Sequence, residues 1–289
     1  MKVCLNCGDR FASSDWRCPQ CHWARESVGC VLMCGAEATR AGNGFHEAYF
    51  EQLYRLEEGS FWFRSRSRLI VWAFARYFNT ARSFLEMGCG TGFVSRSVAT
   101  AFPEVSVTAT DLFPAGLAFA SQRLPSATFL QVDARRVPFE QEFDVAGAFD
   151  VLEHIEQDTA VLQELSRAVR TGGGILLTVP QHASLWSRQD EHACHVRRYE
   201  RGELESKVEA SGFRVELSTS FVSLLLPALF ASRTMDRFSR RVRDPLAELA
   251  LPRLVDRTFE QVMGLEAYLI RSGVRLPYGG SLLVAARKC

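Results

Sequence analysis

No stretch of the 289 residues is both long and apolar enough to span a bilayer. The longest apolar run, 221–231, falls short of the roughly 18–20 residues a spanning helix needs, and it carries Pro227. No basic segment followed by an apolar one opens the chain, so no secretory signal is expected. Neither sign of charge dominates: 34 Lys and Arg face 33 Asp and Glu. That balance gives no global reason to bind nucleic acid, and no nucleic-acid partner is expected. Internal repeats and low-complexity tracts are missing. The expected address is the cytoplasm, with peripheral membrane contact as an addition.

Cysteine is plentiful. Nine residues, an odd number, in a chain without an export signal read as metal ligands and free thiols. Cys4-Leu-Asn-Cys7-Gly8 and Cys18-Pro-Gln-Cys21 form two knuckles ten residues apart. Four thiolates satisfy tetrahedral Zn²⁺, and Gly8 suits the turn after the first knuckle. Residues 1–24 are therefore read as a zinc ribbon, too small to fold without its metal. Iron on the same four thiolates stays open. A ribbon of this kind can also dock a protein partner. Cys30 and Cys34 are read as buried thiols, in a linker over 25–45.

The rest of the chain, 46–289, reads as one α/β domain. An aromatic-rich helical stretch covers roughly 46–79. Strand and helix patterns then alternate, which predicts a parallel sheet with crossover helices. Strands are expected at 83–87, 105–110, 128–131, 143–149, 174–178, 213–218 and 281–286. Residues 221–277 read as a helical insertion before the last strand.

The first of those strands runs into Glu86-Met-Gly88-Cys-Gly90-Thr-Gly92, ahead of a helix. Glycines let a backbone turn sharply and approach a ligand closely. Alone, the motif would equally serve a dinucleotide. Glu86 argues otherwise, because a carboxylate there repels a pyrophosphate. Asp111 closes the second strand, placed to accept from both hydroxyls of a ribose. Asp133-Ala134 follows the third, where a carboxylate can accept from an adenine amino group.

These residues, with Asp150-Val-Leu-Glu153-His154 after the fourth strand, resemble the class I S-adenosylmethionine-dependent methyltransferases. The nearest type is that of quinone-biosynthesis O-methyltransferases and related small-molecule enzymes. The resemblance covers about 60–220 and the last strand. It implies a seven-stranded Rossmann-like sheet with the last strand antiparallel. It implies S-adenosylmethionine bound by Glu86, Gly88, Gly90, Asp111, Leu112, Asp133, Ala134 and Phe149. It also implies an arginine ahead of the fold that pairs with the methionine carboxylate. Arg68 is the expected residue, although Arg64, Arg66 and Arg68 also read as one solvated helix face.

Methyl transfer to a hydroxyl needs alignment and a base. His154 is the expected base and His195 the reserve. Carboxylates beside His154 are expected to raise its pKa, so that activity climbs with pH near neutrality. In the quinone-type relatives, an acid-x-x-Glu-His run has been linked to a divalent metal, which Asp150, Glu153 and His154 would match. The other reading has Glu153 and His154 capping a helix. A second cluster, with His182, Trp186, Asp190, His192, His195, Arg198 and Tyr199, reads equally as the closure of the acceptor pocket and as a satisfied loop network with Arg198 and Tyr199 packed on the sheet edge. The expected reaction is O-methylation of a small molecule. The alternatives are a nucleic-acid or protein methyltransferase targeted by the ribbon, and a cofactor-binding protein without turnover. Amino-group transfer to bases would call for an Asn/Asp-Pro-Pro-Tyr/Phe motif, where this chain reads Phe149-Asp-Val-Leu. Residues 221–243, apolar and then rich in Arg, read first as a helical cap over the active site or an oligomer contact, with a surface for anionic lipid as the alternative.

Overall fold

A computed structural model describes residues 1–13, 15–34, 48–238 and 250–289. Two short strands, β1 (Lys2–Val3) and β2 (Arg10–Phe11), pair within the Cys-rich unit. A hairpin follows, β3 (Glu26–Val28) and β4 (Val31–Met33). Helices α1 (Ala48–Leu56) and α2 (Phe61–Tyr77) lead into β5 (Ser83–Met87). Alternation then runs through α3 (Phe93–Ala101), β6 (Ser106–Asp111), α4 (Pro114–Arg123), β7 (Thr128–Gln131) and β8 (Phe143–Phe149). After α5 (Asp158–Ala168) come β9 (Val169–Pro180), α6 (Arg188–His192), α7 (Glu203–Ala210) and β10 (Phe213–Phe221). Helices α8 (Leu226–Phe238) and α9 (Arg253–Arg271) precede β11 (Ser281–Lys288).

Among the described residues the main sheet has nine strands in the order β10-β11-β9-β8-β5-β6-β7-β4-β3. Strands β5 to β9 pair in parallel, and β11 runs antiparallel to both β9 and β10. The seven expected strands are all there. The other two come from the presumed linker: β4 adds to β7 in parallel register, Val31 opposite Phe129. The linker reading of 25–45 thus fails over 26–33; 35–45 lie outside the described residues. Short β-branched segments beside an open sheet edge take up its unpaired backbone groups. Cys30 is exposed at the hairpin turn, against the expected burial, and Cys34 is half-buried.

Strand pleating divides the core. On β5, Phe84 packs with Ile70 and Val94 under α2 and α3, while Leu85 and Met87 pack with Leu162 and Leu165 of α5. The parallel strands point their carboxyl ends to one edge. There α1, α2, α8 and α9 help to wall a cavity, as expected for ligand sites in open α/β sheets. The aromatic stretch supplies α1 and α2. Of the Phe61-Trp62-Phe63 triplet, Phe61 and Phe63 are buried, and all three line the cavity.

The ribbon packs on the segment after β7. Val3 N–H donates to Pro138 O at 2.9 Å, and Glu140 N–H donates to Met1 O at 2.8 Å. Trp16 meets Phe139 edge-on, with ring centroids 5.7 Å apart.

Candidate active site

The cavity holds about 1180 Å³, above the roughly 300–1,000 Å³ usual for one small ligand. It has room for two reactants. One half is built on the turn after β5. Gly88 has φ of +69°, and a Cβ there would sit 2.5 Å from Val151 Cγ2. Only glycine fits both constraints. Asp111, at the end of β6, accepts from Gly90 N–H at 2.8 Å and from Phe113 N–H at 2.9 Å. These bonds orient its carboxylate while burial pushes its pKa up to about 6. Glu86 is buried and accepts from the Ser95 hydroxyl. Burial raises it to about 8, against the pull of Ser95 and Arg66.

Leu112, Asp133, Ala134 and Phe149 line the same half with Gly88 and Gly90. Asp133 is paired in bidentate fashion with Arg135, at 2.6 and 2.9 Å. Burial works against its charge, but Arg135 outweighs burial and holds it below its ordinary value.

Arg68 is not in this cavity. Its side chain is 60% exposed and pairs with Glu260 of α9 at 2.6 Å. Arg66 points inward instead. It is buried, ion-paired with Asp150, and lies 4.4 Å from the Trp62 ring centroid. Its buried Nε has no hydrogen-bond partner among the described residues. The signal was in the helical phase: Arg66 shares its face with Ile70, Ala73 and Phe74, all buried. Arg68 shares a face with Trp72 and Arg76, which are not. Glu57 carried no motif and was missed. It is buried, accepts from the Thr91 hydroxyl, and pairs with Arg123 at 2.5 Å behind the Gly-rich turn.

The second half opens at the end of β8. Asp150 has φ of +58° and accepts from Thr178 Oγ1 at 3.3 Å. Glu153 is fully buried, and among the described residues neither of its carboxylate oxygens has a hydrogen-bond donor. Burial raises its pKa to about 8. His154 and His195 meet edge-on with centroids 4.7 Å apart. The expected rise of the His154 pKa is overturned. Burial, and then His195, lower it to about 3, outweighing hydrogen bonds to the Ala193 and Cys194 backbone. Carboxylates stand nearby, but desolvation of the imidazolium outweighs their attraction.

His195 is held by Asp190, with Nδ1 to Oδ1 at 2.9 Å, and its Nε2 lies 3.9 Å from Glu153 Oε1. Asp190 also accepts from Arg198 Nε at 2.8 Å. Burial disfavours its charge, but His195 and Arg198 hold it well below the usual carboxylate range. The rest of the second cluster lies elsewhere. His182, Trp186, His192 and Tyr199 do not line the cavity. Tyr199 is fully buried, its hydroxyl donating to Asp158 Oδ2 at 2.8 Å. The α8–α9 region contributes Leu225, Leu229 and Phe259 to the lining, together with Ser232 and Arg233.

In the ribbon, Cys4, Cys7, Cys18 and Cys21 gather their sulfurs within 4.8 Å of one another. Cys4 Sγ lies 3.7 Å from Cys21 Sγ, and Cys7 Sγ lies 3.6 Å from Cys18 Sγ. Tetrahedral zinc with Zn–S bonds of about 2.3 Å separates its sulfurs by about 3.8 Å, so the set fits that ion.

Residues 84–173 match the methyltransferase domain family. A probable S-adenosylmethionine-dependent methyltransferase of Mycolicibacterium smegmatis is 27% identical over 56% of this chain and 62% of its own length. A malonyl-[acyl-carrier protein] O-methyltransferase of Bacillus cereus is 30% identical over 46% of this chain and 49% of its own. The chain thus spans less than two thirds of these curated relatives. A Thermotoga maritima structure, described as an S-adenosylmethionine-dependent methyltransferase and possible histamine N-methyltransferase, superposes with a TM-score of 0.53. It covers 84% of this chain and 95% of that one at 13% identity, a likeness of fold. Residues 84–173 thus match a methyltransferase domain in sequence, and the chain shares its fold with structures described as S-adenosylmethionine-dependent methyltransferases.

Proposed function

We propose that the chain transfers the methyl group of S-adenosylmethionine to a hydroxyl of a small-molecule acceptor. One observation carries this reading: the Gly-rich turn and its acids share a single cavity with the His195–Asp190 pair. Arg66 would pair with the cofactor's carboxylate, Asp111 would accept from the ribose hydroxyls, and Asp133 and Ala134 would face the adenine. The sulfonium already activates the carbon, so the chain's part is to align the acceptor and take its proton. His195 is the better base of the two histidines. Asp190 holds its Nδ1–H and leaves Nε2 free to accept, whereas His154, lowered to about 3, is too weakly basic for efficient transfer near neutral pH. His154 packs on His195 and shapes the pocket beside it.

Curated relatives act on different acceptors, including malonyl-acyl carrier protein and trans-aconitate in the proteins so named. The acceptor here is read from its walls: a polar reacting end near His195 and an apolar body toward Leu225, Leu229 and Phe259. We also assign structural Zn²⁺ to the four ribbon thiolates. A second reading adds a divalent metal at Glu153, His154 and His195, whose ligand atoms lie within 4.8 Å of one another. The Glu153 carboxylate, which has no hydrogen-bond donor among the described residues, favours it.

The test is incubation of cell extract with the protein and methyl-labelled S-adenosylmethionine, read by mass spectrometry. A labelled small molecule with an apolar body supports the proposal. Label only in nucleic acid or protein would replace it. Loss of labelling in EDTA, restored by Mg²⁺, would select the metal-assisted reading.

A further inference from the structure

Asp133, Ala134 and Arg135 form the wall of the cavity at the end of β7. The N-terminal segment grips this wall on both sides. Upstream, β4 pairs with β7, and Cys34 N–H donates to Gln131 O at 2.9 Å. Downstream, the ribbon holds residues 136–140. Lys2 bridges to Phe139, and Val3 and Met1 exchange backbone hydrogen bonds with Pro138 and Glu140. The Arg136 guanidinium donates to the carbonyl of Leu5, inside the first knuckle between Cys4 and Cys7. Trp16 packs on Phe139, which is buried with Val132 and Val137 in one cluster.

The ribbon's own core is Cys4, Phe11 and Cys18, with Cys21 and Trp23 packed against them. So few buried groups cannot fix a shape, and in such units metal binding supplies the folding free energy. On its other side the segment is held by α5, where Arg167 donates to the carbonyls of Phe139 and Val137 and Glu164 accepts from Val137 N–H; its ribbon side depends on a unit that the metal folds, and the three wall residues sit between that segment and β7.

We propose that the metal-loaded ribbon is a positioning element for the cofactor site: it holds the loop after β7 in the form that receives the adenine. This rests on the reading that the cavity binds S-adenosylmethionine. Asp133 and Ala134 touch the ligand; Trp16, Arg136 and the four cysteines act only through them. The face of the ribbon that holds 136–140 is thereby occupied within the chain itself.

The test uses full-length protein in three forms: zinc-loaded, stripped by chelator, and the Trp16→Ala variant, which keeps all four thiolates. Affinity for S-adenosylhomocysteine is read by calorimetry, and amide exchange by mass spectrometry. Stripping should weaken binding about 5- to 100-fold and speed exchange over 132–140, while β5 and β8 stay protected. Added Zn²⁺ should restore both. Trp16→Ala should weaken binding in the same direction while retaining its metal. Unchanged affinity and unchanged exchange over 132–140 after stripping would overturn the proposal. So would exchange that rises equally in β5 and β8, which marks general unfolding. If zinc-loaded wild-type protein does not bind S-adenosylhomocysteine, the functional reading falls instead. Exchange over 132–140 then still decides whether the ribbon holds the loop.

Discussion

The guanidinium of Arg66 pairs with the carboxylate of Asp150, joining α2 to the end of β8 inside the cavity. Two residues on, Arg68 turns outward to Glu260. If the cofactor's carboxylate pairs with Arg66, Arg66→Ala should weaken S-adenosylhomocysteine binding by on the order of 2–4 kcal/mol. It loses a charge-assisted contact and leaves Asp150 without its cation. Arg68→Ala should change affinity by less than about 0.5 kcal/mol, as surface pairs do. Calorimetry on both variants decides; the reverse ranking would return the role to Arg68.

Asp111 accepts two backbone N–H groups and has a pKa raised to about 6 by burial. Its ionised form is the better acceptor for ribose hydroxyls. Affinity for S-adenosylhomocysteine should therefore fall as pH drops through about 6, and Asp111→Asn should flatten that fall. At pH 8, Asp111→Ala should cost about 1–3 kcal/mol of binding. A wild-type affinity that is flat from pH 8 to pH 5 would contradict this placement of the ribose.

Asp190 orients His195, so the two should act as one unit in catalysis. Once an acceptor is in hand, His195→Ala should lower kcat by about 10²- to 10⁴-fold and leave S-adenosylhomocysteine binding intact. Asp190→Asn should lower kcat in the same direction. His154→Ala should reduce kcat less than His195→Ala does. A His154 variant that loses more rate than the His195 variant would reverse the assignment.

Glu153 is buried with no hydrogen-bond partner for its carboxylate among the described residues, and burial raises its pKa to about 8 from an ordinary 4.5. The folded protein thus holds a proton that the unfolded chain has released. Stability from this group is full below about pH 4.5 and is lost as pH rises toward 8. Glu153→Gln should melt near the wild-type temperature at pH 5 and several degrees above it at pH 9, a gain of about 1–3 kcal/mol. Parallel melting curves across pH would show that the carboxylate has a partner in solution, a metal ion being the first to test by adding Mg²⁺.

Much of this was legible in local pattern. The two knuckles, the Gly-rich turn and the acids closing β6 and β7 declare themselves through spacing, because each function needs a few residues at fixed offsets along one strand and its following turn. The seven principal strands were legible for the same reason: burial on a pleated surface imposes its period on the sequence. Two knuckles ten residues apart are enough to specify a four-thiolate site before any fold is known. Other features have no local signature. Whether Arg66 or Arg68 faces inward depends on the rotation of α2 against the sheet. That Trp186 and Tyr199 leave the pocket while Asp190 and His195 stay depends on how the segment after β9 folds back against the turn that follows β8, where Val196 N–H donates to Glu153 O at 2.7 Å. The direction of the His154 pKa depends on burial of the imidazole and on His195 beside it, neither of which neighbouring residues in the sequence disclose. The addition of β3 and β4 to the sheet depends on an edge at β7 that exists only once the other strands have assembled. Sequence spacing determined which chemistry the chain carries; tertiary packing decided which copies of each residue type reach the cavity and in what charge state, because orientation and desolvation arise only when distant segments meet.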